Sequence, residues 1–275
     1  MHCVVLADSW GLVWDQTYKD SMSRPHDHSS SWCKPQPGFW TVLRRYGYTL
    51  DSIQVAGGTS NCDQVDYLKC AKPASTDLLI VIQTDPIRDV VSRISDRQRD
   101  TIQSRIHQLP KQLRDSVTKY GCEALLLHNL FERFEGPEQF FAWQEARLKE
   151  HYQNLHEQLP KWGSPRVVFL GGVSPVRPDL WPRGVENWSV LAEHWPKQLG
   201  IQDPAQTGLS MFTYAVTDLL SRPFIEWFWK ELGRAEQYAH NKHFRPDPGH
   251  PNSRAHRAMS QLLLEHLEIA SSKKL

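Results

Sequence analysis

The sequence predicts an α/β fold in which a parallel sheet lies between two layers of helices. Four short runs carry the first observation: Cys3–Ala7, Ser52–Ala56, Leu78–Gln83 and Val167–Gly171 are rich in Val, Ile and Leu and lack strict polar–apolar alternation. Strands of that kind are buried on both faces, as central parallel strands are. The second observation is that segments with helical apolar spacing fall between these runs. Strand–helix alternation implies right-handed crossovers and helices on both sides of the sheet. The third is size: 275 residues, 40% hydrophobic and 23% charged, are enough for one sizeable core.

The first run stops abruptly at Asp8-Ser9-Trp10-Gly11. Trp40 to Tyr46 carries an apolar helical face. The second run leads into "AGGTSN", where Ser60 or Asn61 is placed to cap a helix running through Tyr67 to Cys70. The third run precedes a polar helical region from about Ile87 to Lys119, broken at Pro110 because proline removes a helix donor. A helix is expected from Pro137 to Leu159, with Phe140, Phe141, Leu148, Tyr152 and Leu155 at helical spacing. After the fourth run, a weak fifth strand is expected near Leu209–Tyr214. Ser253 to Ile269 closes the chain as a helix with Met259, Leu262, Leu263 and Leu267 on one face. Ser21–Gly38 and Val173–Asn187 read as exposed loops, and neither is biased enough to be a linker. The expectation is a single domain over residues 1–275, with a helical elaboration at about 95–160 between strands three and four.

Composition excludes several classes. A net charge of +1 gives no electrostatic reason to expect nucleic acid or an anionic membrane as partner. No run of about 18 apolar residues is present, so no membrane span is expected. The N-terminus lacks a basic region followed by a long apolar core, so no signal peptide and a cytoplasmic location are expected. Cys3, Cys33, Cys62, Cys70 and Cys122 are odd in number and without CxxC spacing, which favours reduced thiols over a disulfide framework or a zinc ribbon. His26 and His28 form an H-x-H pair with no third ligand nearby, so no metal site is assigned. His240, His243 and His256 read as surface or helix-end residues. Eleven tryptophans are read as packing residues, some of them available as a platform for a sugar or another flat ligand.

The chemistry-bearing residues follow from the topology. Ligands of an open parallel sheet bind beyond the carboxyl ends of its strands. Ser9 follows strand one, "AGGTSN" follows strand two and "QTDPIR" follows strand three, so all three face one rim. The late loop "RPDPGHPNSRAH" adds Asp247 and His250, separated by Pro248 and Gly249. A turn of that size brings a carboxylate beside an imidazole. The carboxylate fixes the ring, and the ring takes the proton of Ser9, a hydroxyl too weak to attack without a base. Charge developing on an attacked carbonyl needs aimed donors. Gly58 offers a backbone N–H unobstructed by a side chain, Ser9 offers its own N–H, and Thr84 or Asn61 offers a third donor from a side chain. Taken singly, a serine after a strand is commonly a turn residue, and Asp-Pro-Gly-His is commonly a turn. It is their ordered placement that points to nucleophilic catalysis. Trp10 is placed to wall a pocket or to pack. Arg88 is placed to hold Asp85 or an anionic substrate group.

The set resembles the SGNH hydrolases, also called GDSL-type esterases and lipases. Ala7-Asp8-Ser9 matches their first block, Gly-Asp-Ser, and Gly58 in "GGTSN" matches their oxyanion glycine. Ile82-Gln83-Thr84-Asp85 falls on their Gly-x-Asn-Asp. Asp247 and His250, followed by Pro251-Asn252, match their Asp-x-x-His. The resemblance implies a three-layer α/β/α flavodoxin-like domain of about five parallel strands. It implies hydrolysis of a carboxylic ester through an acyl-enzyme on Ser9, with no metal or organic cofactor. Small-molecule esters, or O-acetyl groups on a glycan, are the substrates it suggests. Two departures stand out: Ala7 for glycine, and Thr84 for asparagine, which removes an amide donor. "TDPIR" is similar to variants in SGNH-like proteins of tailed phages and some bacteria. The alternative is therefore a catalytically weak or inactive SGNH-like binding or virion-associated protein.

Overall fold

The computed structural model describes residues 1–7, 12–13, 36–55, 59–72, 75–84, 86–91, 95–120, 122, 125–126, 129–130, 132–135, 137–172, 174–193 and 253–269. A five-stranded parallel sheet forms its centre. The strands are β1 (His2–Ala7), β4 (Thr49–Val55), β5 (Leu78–Gln83), β6 (Arg166–Gly171) and β7 (Trp188–Ala192), in the spatial order β4-β1-β5-β6-β7. Counted along the chain, that order is second, first, third, fourth, fifth, which is the flavodoxin-like arrangement. Val5 lies between Ile53 and Ile80, and Ile80 between Val5 and Val168. All six residues of β5 are buried, as expected for a central parallel strand.

Successive side chains of a strand point to opposite faces, and each face has its own core. On one side Cys3, Val5, Ile80 and Val168 meet Phe39, Trp40 and Leu43 of the 3₁₀ helix Phe39–Tyr46, together with Ala255, Met259 and Leu263 of a C-terminal helix. On the other side Val4, Leu6, Leu79, Val81 and Phe169 meet Val65 and Leu68 of α1 (Asn61–Cys70). Leu148, Tyr152 and Leu155 of the long helix Pro137–Gln158 complete that layer. Ser60 caps α1: its hydroxyl accepts from the Asp63 N–H, and the Asp63 carboxylate accepts from the Ser60 N–H. The two bonds satisfy end groups that the helix itself leaves open.

Between β5 and the long helix, the polar region divides into α2 (Ile87–Val91), α3 (Asp96–Ser104) and α4 (Lys111–Tyr120). The break at Pro110 falls where expected. Ser95 starts α3, its hydroxyl forming a capping box with Gln98. The long helix, α5 in chain order, runs into a 3₁₀ turn at Leu159–Trp162, and the C-terminal helix, α6, spans Ser253–His266.

Several expectations are corrected. Among the described residues a fifth parallel strand is Trp188–Ala192, in a stretch where the sequence suggests none; the strand expected near Leu209–Tyr214 lies outside the described residues. Among the described residues Trp188–Ala192 borders the sheet, and it is only half-buried along its middle, so its sequence lacks the continuous apolar run of a central strand. A small antiparallel pair, β2 (Leu12–Val13) with β3 (Gln36–Pro37), has one strand inside the segment read as an exposed loop. In the other such segment Ser174 and Val176 are buried, and Trp181 packs on Phe169. Phe141 is 41% exposed, because the buried stripe of α5 runs through Phe140, Gln144, Leu148 and Tyr152. His256 is buried rather than at the surface, since it shares the face of Met259 and Leu263. Its Nδ1 accepts the Phe39 N–H at 3.1 Å, and its ring stacks on Phe39. The described tryptophans, Trp40, Trp143, Trp162, Trp181 and Trp188, are all buried or half-buried and serve packing.

Candidate functional site

The strand order reverses between β1 and β5, so the carboxyl ends of these neighbours form the topological switch point where open α/β sheets bind ligands. Of the residues singled out by sequence, Ser9, Trp10, Gly58, Asp85, Asp247 and His250 lie outside the described residues. Asn61, Thr84 and Arg88 are described, and the first two are brought together.

Thr84 is the first residue beyond β5 and is fully buried, as is Asn61 at the start of α1. The Asn61 carboxamide clasps the main chain of Thr84. Its Oδ1 accepts the Thr84 N–H at 3.2 Å, and its Nδ2 donates to the Thr84 carbonyl at 3.1 Å. One Nδ2 hydrogen remains. One turn later, Gln64 Nε2 donates to the Ile82 carbonyl at 2.9 Å. Because Ser60 begins α1 at this point, the first turn of the helix is pinned to the last residues of β5.

Gln83, the last residue of β5, is held from the other side. Its side chain is fully buried. Its Nε2 donates to the carbonyls of Ser174 and Pro175, beyond the end of β6. Its Oε1 accepts the hydroxyl proton of Tyr152 on α5, and that hydroxyl in turn accepts the Arg177 N–H at 3.0 Å. Burial pushes the Tyr152 hydroxyl well above its ordinary pKa, so it stays protonated and able to donate. Sequence reasoning missed this pair. The available signal was the one polar side chain closing an otherwise apolar strand, Leu-Leu-Ile-Val-Ile-Gln.

Arg88 lies on α2, with Nε and Nη1 shielded from solvent. Asp89, beside it, is buried; its Oδ1 accepts the Cys62 N–H at 2.9 Å, and its Oδ2 lies 3.9 Å from Arg147 of α5. These contacts line a groove between α1 and α5, which also exposes Cys62 and Lys69. At its floor His151 is buried, and burial drives its pKa down to about 3, an effect that the Asn61 backbone carbonyl partly opposes. The groove mixes acidic and basic groups around a neutral imidazole, so it selects neither sign of ligand charge.

The direction of α6 bears on the late loop. Arg166 Nη2 donates to the His266 carbonyl at 3.0 Å, and His266 Nε2 lies 2.9 Å from Ser189 Oγ. Arg166 and Ser189 stand at the amino ends of β6 and β7. The far end of α6 is therefore at the amino edge of the sheet. A helix of this length spans about 21 Å, close to the roughly 20 Å of a six-residue strand. The first two turns of α6 lie against Phe39, whose N–H the His256 Nδ1 accepts and to whose carbonyl the Ser260 hydroxyl donates, and Ser253 follows His250 by three residues in sequence.

Among the described residues, no group of three or more His, Cys, Asp or Glu side chains is placed to hold a metal ion, and no helix is long and apolar enough to cross a membrane. No protein-family model matches the chain, and no curated protein sequence matches it. In a comparison with solved structures the chain is similar to phospholipase A1 from Streptomyces albidoflavus, at 14% identity and a TM-score of 0.38 over 97% of this chain and 98% of that one.

Proposed function

We propose that the protein is a serine hydrolase of carboxylic esters, of the SGNH type. The observation that carries the reading is the meeting of chain ends at one rim. β1, two residues before Ser9, and β5, one residue before Thr84, end side by side at the switch point. α6, whose last turn lies at the opposite, amino edge, starts three residues after His250 in sequence.

In this reading Ser9 Oγ attacks the ester carbonyl while His250 takes its proton, and Asp247 holds the imidazole and stabilises its charged form. The N–H groups of Ser9 and Gly58 and the hydroxyl of Thr84 receive the oxyanion, with Asn61 holding Thr84 in place or lending its remaining N–H. His250 returns the proton to the departing alcohol. It then activates water, which releases the acid from Ser9. Trp10, Asp85 and Arg88 line the pocket. These steps use protein groups alone. Among esters, O-acetyl groups on a glycan are the class we favour, with Trp10 beside the nucleophile as the aromatic wall for a sugar ring.

The test is hydrolysis of p-nitrophenyl acetate by wild type and Ser9→Ala, with labelling by a fluorophosphonate that reacts only with an activated serine. Loss of nearly all turnover and of labelling in Ser9→Ala, at unchanged thermal stability, is the expected result. Equal turnover by the two proteins would remove Ser9 from the mechanism. No labelling and no turnover in wild type would instead favour a binding protein.

A further inference from the structure

We propose that Tyr152, on the helical elaboration, is a positioning residue for the oxyanion donor Thr84 and acts through Gln83; this rests on the reading of Thr84 given above. Thr84 is held by two buried polar clamps. Asn61 fixes its own N–H and carbonyl. Gln83, adjoining it, is fixed by Tyr152 on one side and by the Ser174 and Pro175 carbonyls on the other. The Tyr152 hydroxyl donates one bond and accepts another, from Arg177, so it is satisfied both ways.

A strand end at a sheet centre can be completed by apolar packing alone, as the other residues of β5 show. Buried polar groups are costly unless every member is paired, so a paired network at this one place fixes geometry that packing would leave loose. Catalytic donors need that fixity: they act by being aimed before charge develops, and a small misplacement costs rate rather than binding. The ring of Tyr152 is also held, edge-on, against Phe169 at 5.5 Å and Trp188 at 6.3 Å. The hydroxyl therefore has one orientation to offer. The helical elaboration thus does more than cover the sheet: it reaches the site through one phenol.

The experiment is a double-mutant cycle on p-nitrophenyl acetate hydrolysis, with Ser9→Ala as the background control. Tyr152→Phe keeps the ring and removes the hydroxyl. It is expected to lower kcat roughly tenfold or more while KM stays within about twofold. Added to Thr84→Val, which removes the donor itself, it is expected to lower kcat no further. A purely structural role would give losses that multiply in the double variant, and that outcome overturns the inference, as does a kcat for Tyr152→Phe equal to wild type. If Tyr152→Phe does not fold, Gln83→Met breaks the same link and is read the same way. A Thr84→Val variant with unchanged kcat overturns the donor reading and this inference with it. Ser9-independent turnover overturns the hydrolase reading as a whole.

Discussion

In the proposed mechanism Ser9 needs a base whose proton uptake sets the rate. If His250 is that base, kcat/KM rises with pH along a limb starting from the ordinary imidazole value of about 6.5. In the same mechanism the Asp247 carboxylate stabilises the charged ring, which moves the limb upward. A pH–rate profile measured from 5 to 9 is expected to show this limb. A flat acylation rate across that range would exclude an imidazole base. Thiol reactivity is decided by the same kind of local environment. Burial pushes the Cys3 thiol up to about 12, whereas Cys70 is exposed at the end of α1. Only the thiolate reacts readily. Brief maleimide treatment of the native protein is therefore expected to label Cys70 and spare Cys3, with mass spectrometry of the digests as the readout.

Two elements owe their ends to single residues. Gly171 closes β6, where a Cβ would come within 1.8 Å of the Glu193 carbonyl oxygen and 3.0 Å of that of Ser174. Backbone cannot retreat as a flexible side chain can. Gly171→Ala is therefore expected to destabilise the protein by about 2 kcal/mol or more, read from urea denaturation. It also displaces the loop whose Ser174 and Pro175 carbonyls hold Gln83, so any esterase activity should fall alongside stability. Ser60 at the start of α1 is fully buried and makes the capping box with Asp63. Ser60→Ala is expected to cost about 1 kcal/mol. Its larger effect is on the first turn of α1, which carries Asn61. A loss of kcat greater than the loss of stability explains would show that the turn serves the site.

For the molecule as a whole, the described helices bury two imidazoles, His256 on one side of the sheet and His151 on the other. His151 is neutral when folded, with a pKa near 3, and regains about 6.5 on unfolding. Between these values the unfolded chain binds the additional proton, so stability falls as pH drops through that window and is undiminished above it. The slope from this one group approaches at most about 1.4 kcal/mol per pH unit. Urea midpoints at pH 7 and pH 4.5 are expected to show the decline, and His151→Leu is expected to flatten it. An unaltered slope in that variant would assign the acid sensitivity to other groups. His266, lowered by burial and by Arg166, adds in the same direction.

The layered α/β class and four of the five parallel strands among the described residues are legible in the chain, because central parallel strands are buried on both faces and must be continuously apolar. The chain also offers Ser60 or Asn61 as the α1 cap, and the structure assigns the cap to Ser60, which bonds Asp63 three residues on. Local chemistry suffices for both. The edge strand Trp188–Ala192 was not legible, since half-burial removes the apolar signal, and His256 was misread because its partner Phe39 is 217 residues away. At the site, sequence nominated Thr84 and Asn61 as alternatives from their strand-end positions. That the two clasp each other, and that Gln83 answers to Tyr152 across 69 residues, comes from tertiary contacts. A hydrogen bond between distant segments leaves no periodicity or composition in the chain. It exists only once the sheet order has set β5 beside β6 and laid the long helix across them.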